Sequence, residues 1–203
     1  MNFVELFPTT VAVHKLASLD VAGALEKIKA LNYVNDHDNR GQYTQDQNVL
    51  ADPYFADVCK EIEEACNSFA KAHGHQVEGV GICSSWANRI PNGNIINKHT
   101  HANSYISGSF YLTGGSPIEF FNTGLNDTVF NFAPAKSFDP NNMRTFGSIY
   151  FDIEPGQLLL FPSGMAHGVQ ENKGADRYSV AFNTLPVGLF GEPTKQMRWS
   201  KQG

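Results

Sequence analysis

Three histidines and an arginine are the residues of this chain whose spacing can do chemistry. His99 and His101 are separated by one threonine in the polar run Asn97-Lys-His-Thr-His-Ala-Asn103. His167 follows an apolar run, Gln157-Leu-Leu-Leu-Phe-Pro162, and a Ser-Gly turn, and Arg177 and Ser179 come in the next apolar stretch. On extended chain, side chains at i and i+2 point to the same face, so His99 and His101 project together. A third imidazole from a distant strand completes a three-cornered metal site. Neutral imidazole suits Fe, Zn, Cu and Ni. A histidine turned toward a sheet interior needs a partner, because a buried unsatisfied imidazole is costly.

Arg177, Ser179, Ala181 and Asn183 share one face if Asp176–Asn183 is a strand. A guanidinium fork beside a hydroxyl is suited to gripping a carboxylate bidentately. The plainer alternative is a surface ion pair with Asp176 or Glu171. Two histidines and a carboxylate on one face would describe a non-haem Fe(II) oxygenase. Here the middle position is a histidine, and three imidazoles leave Fe(II) with its full double positive charge. A dianionic co-substrate held by Arg177 compensates for that.

The elements that must position these groups read as helices first and strands afterwards. Residues 3–16 alternate as an opening strand broken by Pro8. Asp20 is an N-cap with Val21, Leu25, Ile28 and Leu31 at helical spacing behind it. The polar stretch Asn35–Asn48 reads as loop. A second helix runs from about Pro53 to Gly74, with Phe55, Val58, Ile62, Ala65, Phe69 and Ala72 as its core stripe. From Val77 the period becomes two, giving strands over 78–89, 104–112, 117–121, 147–153, 157–161 and 177–184, separated by turn signals such as Pro91-Asn-Gly93 and Glu154-Pro-Gly156. The long segment Asn122–Thr145, rich in Asn, Asp, Pro and Phe, reads as a lid or binding loop. The expectation is one mainly β (α+β) domain spanning 1–203, two helices buttressing an antiparallel sandwich.

Composition narrows the partners. The 203 residues are 41% hydrophobic and 17% charged, as in an ordinary globule, with no apolar run near the ~18 residues of a membrane span. A net charge of −5 argues against nonspecific nucleic-acid binding. Cys59, Cys66 and Cys83 form no CxxC pair, and Cys59 and Cys66 lie on the second helix, so they read as small apolar groups. Nothing at the start reads as a signal peptide, and a cytoplasmic protein is expected.

The motifs His99-Thr-His101, Ser107-Gly-Ser-Phe-Tyr-Leu112, Gly156-Gln-Leu-Leu-Leu-Phe-Pro-Ser163, His167 and Arg177-Tyr-Ser-Val-Ala-Phe-Asn183 resemble the Fe(II)/2-oxoglutarate-dependent oxygenases, most of all an uncharacterised branch seen in bacteria and phages. Leu6-Phe-Pro-Thr9 and the helix near Pro53 extend the resemblance to nearly the whole chain. It implies a double-stranded β-helix, or jelly roll, whose open end holds Fe(II), with 2-oxoglutarate and O2 as co-substrates. His99 and His167 fall on the histidine ligand positions, and His101 falls where most relatives carry Asp or Glu. Arg177 and Ser179 match the residues that hold the distal carboxylate of 2-oxoglutarate. Tyr111 lies where a further hydrogen bond to it is made, and Asn103, Trp86 and Asn88 are candidates to line the pocket. The implied activity is hydroxylation of a C–H bond, with a small molecule or protein side chain as substrate, and a homodimer is a common state for relatives of this size. Two other readings stay open: a three-histidine, cupin-like oxygenase that needs no 2-oxoglutarate, and a non-enzymatic jelly-roll binding module.

Overall fold

The computed structural model describes residues 9–38, 40–122, 147–191 and 194–201. The Leu6-Phe-Pro start and nearly all of the expected lid therefore lie outside the described residues. In chain order the strands are β1 (Ala12–Lys15), β2 (Tyr33–Asn35), β3 (Gln42–Thr44), β4 (Gly79–Ile90), β5 (Ile96–His99), β6 (Ile106–Tyr111), β7 (Ile118–Phe121), β8 (Ser148–Phe151), β9 (Gln157–Pro162), β10 (His167–Val169), β11 (Arg177–Phe190) and β12 (Met197–Trp199). Two helices, α1 (Val21–Lys29) and α2 (Ala56–Ala72), precede β4.

Among the described residues the strands form two antiparallel sheets. The larger has eight strands, in the order β1-β9-β6-β11-β4-β3-β2 with β12 on β11, and the smaller has the order β5-β10-β7-β8. Period-two alternation explains how one sheet serves two cores. Leu158 and Leu160 of β9, Phe110 of β6, and Val180 and Phe182 of β11 turn outward onto the helices, where they pack with Ile28, Val58 and Ile62. Leu159, Phe161 and Tyr111 turn inward and meet Ile118 and Phe120 of the small sheet. The inner space between the sheets is thus lined from both sides. The outer layer tolerates no bulk at Gly108, where a Cβ would stand 2.5 Å from the Phe182 ring and 2.8 Å from the Leu159 carbonyl oxygen.

Local chemistry sets the helix starts. Asp20 accepts from Gly23 N (3.1 Å), and Asp52 accepts from Tyr54 N (2.8 Å) ahead of a 3-10 turn at Pro53–Phe55 that leads into α2. The expected loop Asn35–Asn48 instead contains a short hairpin, with β3 pairing onto β4 through Gln42↔Arg89 and Tyr43↔Asn88. An edge hairpin needs no apolar alternation on its solvent side, so its polar sequence concealed it.

Glu61 of α2 ties the first strand to the helical layer. Its carboxylate accepts from Ala17 N (2.9 Å), Ser18 N (2.9 Å), Ser18 Oγ (2.6 Å) and His14 Nε2 (2.8 Å). Burial pushes its pKa up, but these bonds, led by that from the Ser18 hydroxyl, outweigh it and hold the group at about 2 against an ordinary 4.5. A carboxyl depressed in the folded state adds stability that is complete above its unfolded pKa and lost as pH falls through the folded one; for this shift the ceiling is ~3 kcal/mol. Glu61→Gln should therefore lower Tm at pH 7, by up to roughly 10 °C in a chain of this size. The gap to the native chain should shrink as pH drops from 5 toward 2. A gap independent of pH in thermal melts would show that the charge is not what matters.

Candidate metal and co-substrate site

His99 and His167 are direct cross-strand partners on β5 and β10. Residues opposite one another in an antiparallel pair share a face with Cβ atoms ~5 Å apart, so the pairing alone delivers two imidazoles to one spot. β10 comes this close because position 168 is glycine: a Cβ there would lie 2.8 Å from Ile96 O. His101 lies two residues beyond His99, its chain fixed by His101 N donating to Ser163 O (2.9 Å). The ligand nitrogens of His99, His101 and His167 lie within 4.8 Å of one another.

Hydrogen bonds settle which nitrogens face the centre. Nδ1 of His99 donates to Asn97 O (2.9 Å), Nδ1 of His167 to Met165 O (2.9 Å), and Nδ1 of His101 to Asn183 Oδ1 (2.6 Å). All three are therefore Nδ1–H tautomers with Nε2 lone pairs pointing inward. Nε2 of His101 is 3.3 Å from Nε2 of His99. Two lone pairs repel at that distance without a cation between them. With metal–nitrogen bonds of ~2.1 Å, ligand nitrogens stand ~3.0 Å apart at a right angle and ~3.4 Å apart in a tetrahedron, which brackets the value seen. Burial drives the pKa of His167 down to about 3, with His99 adding to the effect, and burial likewise lowers that of His101. Both are neutral at pH 7 and can take a metal without first losing a proton. Phe161 packs on the His167 ring at 4.6 Å and Trp86 on that of His101 at 5.5 Å, which holds both imidazoles in place.

The inner face of the large sheet supplies the other end of the cavity. Rows run across its strands: Asn88, Ser179 and Tyr111, then Trp86, Ala181 and Ser109, then Ser84, Asn183 and Ser107. Arg177 begins the same face of β11. Successive inward residues advance ~6.6 Å, so Arg177 and Ser179 reach one small group, whereas Asn183 stands roughly 20 Å up the strand at the histidine end. Arg177, Ser179, Tyr111, Trp86 and Asn88 line a single cavity with the three histidines.

Arg177 is only 2% exposed, yet it forms no ion pair among the described residues. Its Nε donates to Ser116 O (3.1 Å), and its guanidinium lies over the Tyr111 ring at 5.1 Å. The surface pair offered by Asp176 is taken by Arg89 instead (2.7 Å). Burial lowers the pKa of Arg177, but a guanidinium stays charged at pH 7. Beside it the Tyr111 hydroxyl is fully buried with no partner at good hydrogen-bond geometry among the described residues; burial pushes its pKa up to about 12, against the opposing pull of the neighbouring Arg177 guanidinium and Ser109 hydroxyl. A buried cation without a counter-ion and an orphaned hydroxyl are each costly. Both are satisfied by a carboxylate entering the cavity, so the residues fit a metal at one end and a dicarboxylate reaching to the other.

Asn103, expected near the co-substrate, is exposed in a turn and absent from the cavity lining. Its φ of 55° gives the reason for asparagine there, since this residue tolerates left-handed backbone. Phe161 of β9 is buried and also lines the cavity. Asn183 was within the Arg177–Asn183 motif, but its partner His101 is far away in sequence, and period-two alternation gives a face without giving a partner.

An inward-facing cluster of imidazoles at one end of a jelly roll, with an arginine deeper in the same cavity that has no ion-pair partner among the described residues, can hold a metal ion and a carboxylate together. Residues 84–183 match the family described as "Putative 2OG-Fe(II) oxygenase". Solved structures share the fold. A prolyl-4-hydroxylase from Pseudomonas putida is 15% identical with TM-score 0.57, covering 89% of this chain and 94% of its own. HygX from Streptomyces hygroscopicus, with nickel and 2-oxoglutarate bound, is 15% identical with TM-score 0.57 over 88% of this chain and 83% of its own. The epimerase SnoN from nogalamycin biosynthesis is 10% identical with TM-score 0.63 over 89% of this chain and 80% of its own. No curated protein matches the sequence. Residues 84–183, which carry the three histidines and Arg177, thus place the chain among the 2OG-Fe(II) oxygenases, and the histidine cluster fits the metal that the family's description names.

Proposed function

We propose that this chain, as a single domain, hydroxylates a C–H bond of a small molecule or protein side chain, converting 2-oxoglutarate and O2 to succinate and CO2 as one oxygen atom enters the substrate. His99, His101 and His167 hold the iron, and Arg177 with Ser179 holds the distal carboxylate of 2-oxoglutarate. The observation that carries this reading is the buried Arg177, without an ion-pair partner among the described residues, in the same cavity as three converging Nε2 lone pairs.

When bound, iron supplies the redox chemistry that couples decarboxylation of 2-oxoglutarate to oxygenation. The chain's own residues bind, orient and exclude water. The Arg177 fork and the Ser179 hydroxyl fix one end of the co-substrate and so set where its other end meets the metal. Tyr111 Oη donates to the same carboxylate. Phe120, Phe161 and Trp86 wall the histidine end and keep water from the reacting centre. With three neutral ligands the site carries the full +2 of the metal, and the dianionic co-substrate balances it.

The solved relatives include a prolyl hydroxylase, an epimerase and HygX, which was also crystallised with hygromycin B bound. Both peptide side chains and small molecules are thus in keeping with this fold. No helix among the described residues is long and apolar enough to cross a membrane. The three cysteines are free, as suits a reducing compartment such as the cytosol. The three-histidine set by itself would also suit a cupin-like oxygenase, but that chemistry gives a buried arginine no work.

The deciding experiment is anaerobic titration of the apoprotein with Fe(II) and 2-oxoglutarate, followed by visible absorbance. The expected result is a charge-transfer band that needs both components. Iron bound without any band on adding 2-oxoglutarate would overturn the assignment.

A further inference from the structure

We infer that Asn183 is a positioning residue that makes His101 a metal ligand, through a buried chain of side-chain hydrogen bonds. The inference rests on the metal reading given above.

The three histidines are oriented in two different ways. His99 and His167 each donate Nδ1–H to the main-chain carbonyl two residues earlier, Asn97 O and Met165 O. Their orientation is built into their own segments and survives any side-chain change nearby. His101 has no such carbonyl. Its Nδ1–H goes across to Asn183 Oδ1 on β11, at 2.6 Å.

Asn183 is itself held. Its Oδ1 accepts a second bond from Ser107 Oγ (2.8 Å), so both lone pairs are occupied by donors and the amide presents oxygen to His101. Ser107 Oγ, whose proton goes to Asn183, stands 2.8 Å from Ser163 Oγ, and the single Ser163 proton is shared between Ser107 Oγ and Ser104 Oγ, which is also 2.8 Å away. Ser107 and Ser163 are buried, at 0% and 2% exposure, so the hydroxyls bond to one another with little competition from water. The backbone also breaks register here. Between Asn183 and Thr184 the pairing with β4 skips a residue, and Thr184 turns away to bond Ile106 O through its hydroxyl (2.7 Å). Bulges of this kind re-aim side chains beside functional sites.

Asn183 and His101 therefore form a matched pair. An imidazole at 101 needs an acceptor to fix its tautomer, and a neutral amide supplies one without adding charge to the centre. A carboxylate at 101 would have no N–H to offer Asn183 Oδ1. This accounts for how the chain accommodates a histidine at the position where the oxygenase resemblance implies an acid.

The test is anaerobic titration of the apoprotein with Co(II) alone, read by visible absorbance and chelator competition. Asn183→Leu should weaken Co(II) binding 10- to 100-fold, the usual cost of losing a partner behind a ligating histidine. Asn183→Asp, which still accepts from Nδ1–H, should restore affinity to within about threefold while changing the Co(II) spectrum. Ser107→Ala leaves the Asn183–His101 bond but lets the amide turn, and should cost about threefold or more; it carries the test should Asn183→Leu fail to fold. Equal weakening in the Leu and Asp variants, or Co(II) binding in Asn183→Leu or Ser107→Ala as tight as in the native chain, would overturn the inference. Failure of the native chain to bind Co(II) would instead overturn the metal reading beneath it.

Discussion

His167→Ala should reduce iron-dependent succinate formation to background. Of the three imidazoles, His167 is the buried one, at 6% exposure, facing His99 across the β5–β10 pair and wedged against Phe161 and Phe120. Removing it leaves the exposed His99 and the half-buried His101, neighbours on one segment with nothing opposite them. Two imidazoles from one side cannot close a face around the ion, and the metal would be held weakly and wetly. The substitution also deletes a buried ring, at a cost of a few kcal/mol for a cavity, offset in part because an imidazole that burial holds neutral no longer has to be desolvated. Stability of the apoprotein therefore cannot carry the test. The discriminating measurement is the rise in Tm when metal is added, which follows RT ln(1 + [L]/Kd) and should vanish in the variant. Unchanged succinate formation, or an unchanged metal-induced rise in Tm, would put the metal elsewhere.

Legibility in the sequence followed the length of the interaction that each element depends on. Asp20, the apolar stripe from Phe55 to Phe69, and the alternating runs of β6 and β9 are local signals, and the elements came out within a few residues of expectation. The inward face Arg177, Ser179, Ala181, Asn183 was legible because alternation is a property of one strand. What sequence left out depends on pairing. β11 runs on to Phe190 through Pro186, a residue that ends most central strands. It can do so because pairing with β6 stops at Asn183, which leaves no ladder on that side for the missing N–H to break. The three-residue strand β10 carries no period at all, yet it brings His167 opposite His99. Asn103, a candidate to line the pocket, instead makes a left-handed turn before β6.

Arg177→Met should raise the 2-oxoglutarate requirement by a factor of roughly 30 or more while leaving Co(II) affinity within about twofold of the native value. The fork is the one buried cation among the described residues that line the cavity, and removing one partner of a buried charge pair costs roughly 2–5 kcal/mol or more. Metal affinity should be untouched because Arg177 lies roughly 20 Å down β11 from the Asn183 end of the site, by strand geometry. Apoprotein stability should move in the direction opposite to function. Without co-substrate the guanidinium is buried with Ser116 O and the Tyr111 side chain as its neighbours and no counter-ion among the described residues, so an unbranched apolar side chain of similar length removes a desolvation cost and should hold or raise Tm. Added 2-oxoglutarate should then raise Tm in the native chain but not in the variant. Arg177→Lys should fall between the two, since an ammonium keeps the charge but gives up the planar pair of donors. An unchanged 2-oxoglutarate dependence in Arg177→Met, together with a lower Tm, would mean that the arginine is a structural strut bonded to Ser116 O, and that the co-substrate's far carboxylate is held by some other group.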